Sequence, residues 1–307
     1  MFAPARLVAV KQIPTGARWF YEPKFDGYRG LLVRSGTASG SVWSRNAKDL
    51  GRFFPELVDL AGRLPPKTAL DGEIVRPIQS GVSFIELQRR LMTPLSERGK
   101  AALELPVAFI AFDLLQLRGQ DLRGLGLSER RRRLQRLVED HHDQLLQLVL
   151  QTTDQDAAAL WLDSAVSLAG IEGVVAKADE PYPRPESRRW RKIRRVSTMD
   201  FKVHGFIPER DDSVRLVLAV IREEGVKIVG TTWPIGPDDI LPLHPLIAAA
   251  VPGERRIWAP FETDRHDSWF KLPGGLVAEV TVSGIDSNVL RQPARFVRWR
   301  HAQPEVC

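Results

Sequence analysis

One lysine of this sequence lies where a nucleophile could work. Lys24 follows the strand-like residues 18–21, and an Asp26-Gly27 turn and Arg29 come within five residues after it. A lysine fixed at a strand end among charged neighbours suits covalent attack better than core packing. The alternative is an ordinary hairpin, in which a tight Asp-Gly turn leaves an exposed lysine without a chemical role.

Two acidic residues and a basic strand add the groups that phosphate chemistry needs. Glu73 ends an Asp-Gly-Glu segment, and Glu172 begins the strand-like residues 172–177. Lys192 and Arg194 alternate on a short strand expected at 190–194. Carboxylates can hold a divalent cation, and basic side chains can balance the charge of phosphoryl oxygens. Either glutamate alone would be no more than a surface charge at a strand edge.

Several segments follow one another in an order that resembles the ATP-dependent DNA ligases, members of the covalent nucleotidyltransferase superfamily. The order carries the argument, because short patterns recur by chance. The resemblance covers nearly the whole chain and points to the minimal two-domain bacterial enzymes of the C type. The segments are K-F-D-G-Y-R at 24–29, S-R-N-A-K-D at 44–49, D-G-E at 71–73, F-I-E-L-Q-R-R at 84–90, A-F-D at 111–113, E-G-V-V-A-K at 172–177 and W-R-K-I-R at 190–194.

The resemblance implies a covalent lysyl-AMP intermediate on Lys24, with Lys192 and Arg194 as further catalytic residues. A free lysine has a pKa of about 10.4 and is protonated at neutral pH. Nearby cations and partial burial lower such a pKa, so that the neutral amine can attack the α-phosphate of ATP. The resemblance assigns Glu172 to the metal, Mg²⁺ or Mn²⁺, with Glu73 as a second metal candidate.

The resemblance also implies an ATP-binding set. Glu22 would accept a hydrogen bond from the adenine amino group, which favours ATP over GTP, and Phe112 would stack on the base. Glu73 would hold the ribose hydroxyls with help from Arg29, and Arg45 would contact the AMP phosphate or the 5′-phosphate of a nick. The implied ATP-binding residues are Glu22, Arg29, Arg45, Glu73, Phe112, Lys177, Lys192 and Arg298.

The C-terminal end departs from the family pattern. Residues 291–300, R-Q-P-A-R-F-V-R-W-R, are similar to the last motif of the shorter bacterial enzymes, but no lysine follows Lys271. Either Arg298 and Arg300 act on the departing pyrophosphate in place of a lysine, or self-adenylylation is slower than usual.

Length and strand pattern predict an α+β protein of two domains. The chain has 307 residues with 43% apolar composition, which suits two cores. We expect a nucleotidyltransferase (adenylation) domain with antiparallel sheets and flanking helices at 1–197. An OB-fold β-barrel domain should follow at 198–307, with strands at 201–207, 213–221, 226–232, 276–283 and 294–299. Helices are expected at 82–91, from Ser128 to Val138, at 156–169 and at 239–250.

The charge and cysteine content indicate the partner class. The net charge is +6, which favours an anionic partner, and the resemblance makes that partner nicked double-stranded DNA. The single cysteine, Cys307, fits a reducing cytoplasm, and no stretch has the plan of a signal peptide or membrane span. We expect a monomer used in repair, recruited by a repair polymerase or an end-binding protein. The arginine cluster 130–133 is expected to form a solvated helix face.

Two other functions remain open at this point. An RNA ligase or a capping-type nucleotidyltransferase would use the same pocket, although residues 44–49 and 84–90 favour DNA. A nucleic-acid-binding protein without catalysis could keep the fold, but the intact Lys24, Glu73 and Glu172 argue against it.

Overall fold

The computed structural model describes residues 3–36, 39–163, 170–253, 268–282, 285–286, 289–290 and 292–300. Cys307 lies outside these residues. The chain divides into two compact units, Met1–Arg195 and Val196–Cys307, and each has its own apolar core. Within the described ranges no helix is long and apolar enough to cross a membrane.

The first unit combines twelve strands with five helices in its described part. The strands are β1 (Leu7–Ala9), β2 (Trp19–Phe25), β3 (Tyr28–Arg34), β4 (Gly40–Ser44), β5 (Thr68–Val75), β6 (Pro77–Ile78), β7 (Gly81–Val82), β8 (Ala108–Leu117), β9 (Gln120–Asp121), β10 (Leu146–Leu148), β11 (Ile171–Ala178) and β12 (Trp190–Arg194). The helices are α1 (Pro55–Arg63), α2 (Phe84–Met92), α3 (Arg98–Glu104), α4 (Leu127–His141) and α5 (Gln155–Ala159).

Two mixed sheets form the frame of this unit. The smaller sheet has the strand order β1-β12-β11-β2, and the larger has the order β10-β8-β5-β3-β4, with β9 paired to β8. Only the β1–β12 and β10–β8 pairs are parallel. Helices α1, α2 and α4 cover the larger sheet, and their apolar faces contribute Leu60, Leu87 and Leu134 to its core, whereas α5 packs on the smaller sheet through Ala158. The prediction of sheets with flanking helices is confirmed, but the sheets are mixed and not purely antiparallel as predicted.

The Asp26-Gly27 turn differs from the hairpin that its sequence suggests. It joins β2 to β3, but these two strands lie in different sheets and do not pair. Gly27 packs so closely on β5 that an added Cβ would lie 2.3 Å from the Ile74 carbonyl oxygen. The turn therefore carries the chain from one sheet to the other and places residues on its two sides on opposite walls.

Two predictions about α4 are wrong. Ser128 does not cap the helix from its own position, because Gly126 is the N-cap residue. Instead, the Asp179 carboxylate accepts hydrogen bonds from the Ser128 N–H (2.9 Å) and hydroxyl (2.7 Å). The predicted solvated face fails at Arg130, which is fully buried with its guanidinium paired to the buried Asp113 at 2.7 Å, whereas Arg132 of the same cluster is exposed as predicted. A charge on a helix can be buried when a carboxylate of the underlying sheet pairs with it.

The other helices vary in how well the sequence predicted them. Helix α2 is confirmed, and the Ser83 hydroxyl caps it by accepting from the Glu86 N–H. Helix α5 ends at Ala159 and continues only as a 3-10 turn, Leu160–Leu162; the rest of the predicted helix, 164–169, lies outside the described residues.

In the described residues of the second unit the strands pair antiparallel, and one isolated bridge, between Thr232 and Ala294, is parallel. This unit contains β13 (Ser197–Pro208), β14 (Val214–Arg222), β15 (Gly225–Thr231), β16 (Val251–Pro252), β17 (Phe270–Lys271), β18 (Val277–Val282), β19 (Ile285–Asp286), β20 (Val289–Leu290) and β21 (Arg295–Arg300). The five predicted strands are confirmed within the described residues. The helix predicted at 239–250 is mostly a 3-10 turn, Leu241–Leu243, and a short α6, His244–Ile247. Pro242 and Pro245 lack the backbone N–H that a longer helix needs at those positions.

In the second unit the chain just before β21 comes back to the end of β15. The sheet runs β15-β14-β13, and β13 pairs along its first half with β18, which pairs with β21. Ala294, just before β21, then bonds back to the end of β15: its N–H donates to the Thr231 carbonyl at 2.8 Å. Apolar side chains such as Leu216, Leu218, Ala278 and Val280 fill the interior.

Candidate active site

A cleft lies between the two sheets of the first unit. Its walls come from seven strands of the two sheets and from residue 149. The lining residues are Leu7, Glu22, Pro23, Lys24, Phe25, Arg29, Glu73, Ile110, Phe112, Val149, Val175, Lys177 and Trp190.

Strand alternation explains how one wall of the cleft is built. Side chains two residues apart on a strand lie on the same face. Glu22 and Lys24 therefore share one face of β2, and across the sheet the Cα atom of Lys24 pairs with Gly173 and that of Glu22 with Val175. The opposite face of this sheet is apolar, because Trp19, Tyr21, Val174, Ala176 and Ile193 pack there with Ala158.

A β-bulge brings Glu172 to the lysine. In β11, Ile171 pairs with Phe25 and Gly173 with Lys24, so Glu172 is the extra residue between two pairs. Its carboxylate forms a salt bridge with the Lys24 ammonium, and both side chains are more than four-fifths buried. Bulges redirect a side chain in this way. Gly173 permits the bulge, since its φ is +156° and an added Cβ would lie 2.0 Å from the Ile193 carbonyl oxygen.

Cations of β12 lie on the same side of the sheet. Arg194 continues the row of Lys24 and Gly173, and Lys192 continues the row of Glu22 and Val175. Burial, then the positive charges of Arg194, Lys24 and Arg45, lower the pKa of Lys192, against the opposing effect of Glu172. Concentrated positive charge of this kind is suited to binding a phosphate.

The opposite wall carries Glu73 and Arg29, whose Cα atoms pair between β5 and β3. Burial raises the pKa of Glu73 to about 7 from its ordinary 4.5, and the charges of Glu172 and Asp71 add to this, whereas Lys24 and Arg29 act in the other direction. Arg29 is held by Asp71 in a bidentate pair, Nε to Oδ1 at 2.9 Å and Nη2 to Oδ2 at 2.6 Å.

A buried polar cluster lies at the inner end of the cleft. The Glu22 carboxylate accepts from the Lys177 ammonium at 2.7 Å and from the Gln151 amide at 2.8 Å. Lys177 is 1% exposed and lies 4.5 Å from the ring centre of Phe112 and 4.2 Å from that of Trp190. The Phe112 ring is half-buried and lines the cleft next to this cluster.

A wider basin opens at the lysine end. It has a volume of about 440 Å³ and is lined by more basic than acidic side chains. Arg45 reaches it from the segment after β4, and Lys192, Arg194 and Lys24 reach it from the smaller sheet. The structure thus brings Glu22, Lys24, Arg29, Arg45, Glu73, Phe112, Glu172, Lys177, Lys192 and Arg194 around one connected cleft and basin.

Arg298 belongs to the second unit and is described there by itself. It lies on β21, and its guanidinium pairs with the Glu279 carboxylate of β18. Arg300 contacts the same carboxylate at 3.1 Å and Asp200 at 3.3 Å. A role for Arg298 toward ATP therefore stays a prediction.

Three residues of the site were not predicted from the sequence: Asp71, Gln151 and Tyr182. Asp71 lies in the D-G-E segment two residues before Glu73, and this position could have identified it as a residue of the site. Gln151 and Tyr182 lie in loops, and no local pattern marks them.

The donor set fits a divalent cation. Mg²⁺ in phosphoryl-transfer sites is bound by one or two carboxylates together with substrate phosphates. Glu172 and Glu73 supply two carboxylates close enough for the charge of Glu172 to raise the pKa of Glu73. Among the described residues no cluster of three or more histidine, cysteine or acidic residues forms a complete protein cage. The site is thus suited to a metal that arrives with a nucleotide.

Comparison with known proteins places this geometry in a family. The family description of an ATP-dependent DNA ligase domain matches residues 6–194. DNA ligase C of Mycobacterium tuberculosis is 31% identical over 99% of this chain and 92% of its own length. DNA ligase C2 of Mycolicibacterium smegmatis is 38% identical, but the match spans 66% of this chain and 56% of that relative.

A solved structure from a study of Lig E DNA ligases shares the fold. It covers 97% of this chain and 100% of its own, with 18% identity and a TM-score of 0.58. The family match extends over more than half of the chain and includes every cleft residue of the first unit. This chain belongs to the ATP-dependent DNA ligase family.

Proposed function

We propose that this chain seals nicks in double-stranded DNA, with ATP as the energy source and Lys24 as the covalent carrier of AMP. One observation carries the proposal: the Lys24 amine lies in the cleft between the two sheets, paired with Glu172 and flanked by Lys192 and Arg194. A lysine held between a carboxylate and phosphate-binding cations is arranged for nucleophilic attack on phosphorus.

The first step is attack of the neutral Lys24 amine on the α-phosphate of ATP. The Lys24 ammonium first loses a proton to solvent; a nitrogen–phosphorus bond then forms, the bond to the bridging oxygen breaks, pyrophosphate leaves with the electron pair, and the nitrogen releases a second proton to solvent. Lys192, with its lowered pKa, and Arg194 contact the phosphate and stabilise its increased charge. Mg²⁺ or Mn²⁺ on Glu172, with Glu73 nearby, would neutralise further charge on the phosphates.

The nucleotide is oriented by the inner end and the opposite wall of the cleft. Glu22, fixed by Lys177 and Gln151, accepts from the adenine amino group, and Phe112 stacks on the base. Glu73 and Arg29 hold the ribose hydroxyls. This pose places the α-phosphate at Lys24, two residues along β2 from Glu22.

In the later steps the 5′-phosphate of a nick attacks the phosphorus of Lys24–AMP and displaces the lysine amine. The 3′-hydroxyl then attacks the adenylylated 5′-phosphate, the strands are joined and AMP leaves. Arg45, at the rim of the basin, is placed to contact the 5′-phosphate. The second unit is proposed to be an OB-fold barrel, on the support of its five main strands and the bond from Ala294 back to β15. We further propose that the protein acts as a cytoplasmic monomer in DNA repair, recruited by a repair polymerase or an end-binding protein.

Labelled ATP tests the proposal directly. Incubation of the protein with ATP and Mg²⁺ should add one AMP, located on Lys24 by mass spectrometry, and the Lys24→Ala variant should not be labelled. Lys100→Ala is the matched control, because Lys100 is an exposed lysine of α3 with 75% side-chain exposure. Label on another lysine, or label that persists in Lys24→Ala, would show the assignment to be wrong.

Substrate choice separates the DNA ligase from the RNA ligase alternative. A nicked DNA duplex should be sealed faster than the same nick in a DNA–RNA hybrid or an RNA duplex. Faster sealing of the RNA nick would replace the proposed function by RNA ligation, and self-labelling without any sealing would favour a different nucleotidyl transfer.

A further inference from the structure

Tyr182 lies in the loop between β11 and β12, outside every motif, yet its hydroxyl is fully engaged at the cleft. The hydroxyl donates to Asp71 Oδ2 at 2.6 Å and accepts from Arg29 Nη2 at 3.2 Å and from the Ala5 N–H at 2.9 Å. A phenol offers one donor and two acceptor positions, so all three are used. The residue is 8% exposed, and its partners Asp71 and Ala5 are fully buried.

The ring of Tyr182 is held independently of the hydroxyl. Trp190 packs edge-on at 5.3 Å between ring centres, and the Arg130 guanidinium lies 5.7 Å above the Tyr182 ring. The Tyr182 N–H also donates to the Arg123 carbonyl at 2.8 Å. Removal of the oxygen alone should therefore leave the ring in place.

The Tyr182 hydroxyl connects the two groups that hold Arg29, which are the Asp71 carboxylate and the Ala5 backbone. Asp71 holds the guanidinium in a bidentate pair, and Tyr182 bonds to both Asp71 and Arg29. The Ala5 carbonyl accepts from Arg29 Nη1, while the Ala5 N–H donates to Tyr182. Arg29 is thus fixed from two sides, with its Cα atom paired to that of Glu73 and its guanidinium 5.3 Å from the Phe112 ring centre.

We infer that Tyr182 is a positioning residue whose hydroxyl sets the pose of Arg29 and, through it, the preference of the cleft for ribose over 2′-deoxyribose. The inference rests on the proposed function, in which Arg29 and Glu73 hold the ribose hydroxyls. The strength of a hydrogen bond to the ribose 2′-hydroxyl depends on its direction. An Arg29 guanidinium that is free to tilt would therefore contribute less to the discrimination between ATP and 2′-deoxyATP.

The test compares Tyr182→Phe with Tyr21→Phe. Tyr21 is the matched control because its buried hydroxyl donates to the Pro14 carbonyl at 2.6 Å on the opposite, apolar face of the smaller sheet. The rate of Lys24–AMP formation is measured over a range of ATP and of 2′-deoxyATP concentrations. Thermal melting of both variants, and sealing of a nick that already carries AMP, are measured in parallel.

In Tyr182→Phe the KM for ATP should rise about tenfold, the value that corresponds to one hydrogen bond to a charged group, while kcat stays within about twofold. The KM for 2′-deoxyATP should hardly change, so the preference for ATP falls by about the same tenfold. Tyr21→Phe should keep the wild-type preference. Sealing of the adenylylated nick should remain, because it does not require ATP binding.

Several outcomes would overturn the inference. An equal rise of the KM for ATP and for 2′-deoxyATP in Tyr182→Phe would mean that Tyr182 has only a structural role. The same conclusion would follow if Tyr21→Phe changed the preference for ATP as much as Tyr182→Phe does. An unchanged preference in a folded Tyr182→Phe protein would exclude any role in sugar selection. Absence of Lys24–AMP in the wild-type protein would refute the proposed function itself, and this is seen before any variant is compared.

Discussion

Glu73 has a protonation state that changes near neutral pH. Burial raises the pKa of its carboxyl to about 7 in the folded protein, against 4.5 ordinarily. Between these two pH values the folded state binds more protons than the unfolded state, so the free energy of unfolding decreases as the pH rises. Below the ordinary pKa the carboxyl is neutral in both states and has no such effect.

Glu73→Gln should remove this decrease. Without metal or nucleotide, the variant should melt near the wild-type temperature at pH 5 and above it at pH 8, because only the wild-type protein must bury a charge there. Glu104→Gln is the control, since the Glu104 side chain is 61% exposed. A difference in melting temperature that does not grow between pH 5 and pH 8 would contradict a pKa of about 7 for Glu73.

At the scale of single residues, short sequence motifs identified most of the candidate site residues. They did not identify the side chains that hold those residues in place. Lys24, Glu172 and Lys192 each lie in a segment whose order along the chain is informative. The partners of Arg29 could not be predicted, because Asp71 and Tyr182 are 42 and 153 residues away from it. Arg130 was assigned to a solvated face for the same reason, since nothing local indicates that Asp113 lies beneath it.

At the scale of the elements, the position of Glu172 in the site depends on the β-bulge next to Gly173 in β11. Gly173 has a backbone conformation that other residues rarely adopt, and it lies against β12. Gly173→Ala should force β11 and β12 apart, since its Cβ would lie 2.0 Å from the Ile193 carbonyl oxygen. The expected loss of stability is on the order of 1–3 kcal/mol for the strained backbone, and more with the steric clash. Lys24–AMP formation should also fall, because Glu172 loses its place.

Gly16→Ala is the matched control. Gly16 also has a positive φ, +112°, but an added Cβ there meets no atom within 4 Å. Urea unfolding at pH 7 measures both variants, and Gly173→Ala should be clearly less stable than Gly16→Ala. Similar losses would mean that the backbone conformation alone, and not the contact with β12, makes glycine necessary at 173.

Strand patterns predicted most elements, while their pairing depended on the whole fold. The strand-like residues 18–21 and 172–177, the short strand expected at 190–194 and the five strands predicted in the second unit all correspond to strands of the structure. The Asp26-Gly27 turn has the composition of a hairpin, yet β2 and β3 belong to different sheets. Which strands pair is decided by apolar faces far apart in sequence, and a local pattern carries no information about this.

At the scale of the whole molecule, the arginines of β21 test whether the second unit takes part in the reaction with ATP. Arg298 and Arg300 share the Glu279 carboxylate and are substantially exposed. If they act on pyrophosphate, Arg298→Ala combined with Arg300→Ala should slow Lys24–AMP formation at least about tenfold, as expected when charge stabilisation of the transition state is lost. Sealing of a nick that already carries AMP should be affected less.

Arg222→Ala, which removes an arginine at the end of β14, is the control for the general loss of positive charge. Its effect should be confined to a small increase in the salt sensitivity of DNA binding. If the double variant forms Lys24–AMP at the wild-type rate, the first unit performs the reaction with ATP on its own. If both assays fall equally, the two arginines serve DNA binding or stability.

Because Glu22 and Lys24 lie on the same face of β2, the strand backbone fixes the distance between their side chains. Glu22 and Lys24 are one side-chain repeat apart, about 7 Å along the strand, and neither can move relative to the other without breaking the β2–β11 ladder. If Glu22 contacts the base and Lys24 the phosphate, as proposed, the distance between these two contacts is set by peptide geometry. One residue inserted between Glu22 and Lys24 would turn the two side chains to opposite faces of the sheet.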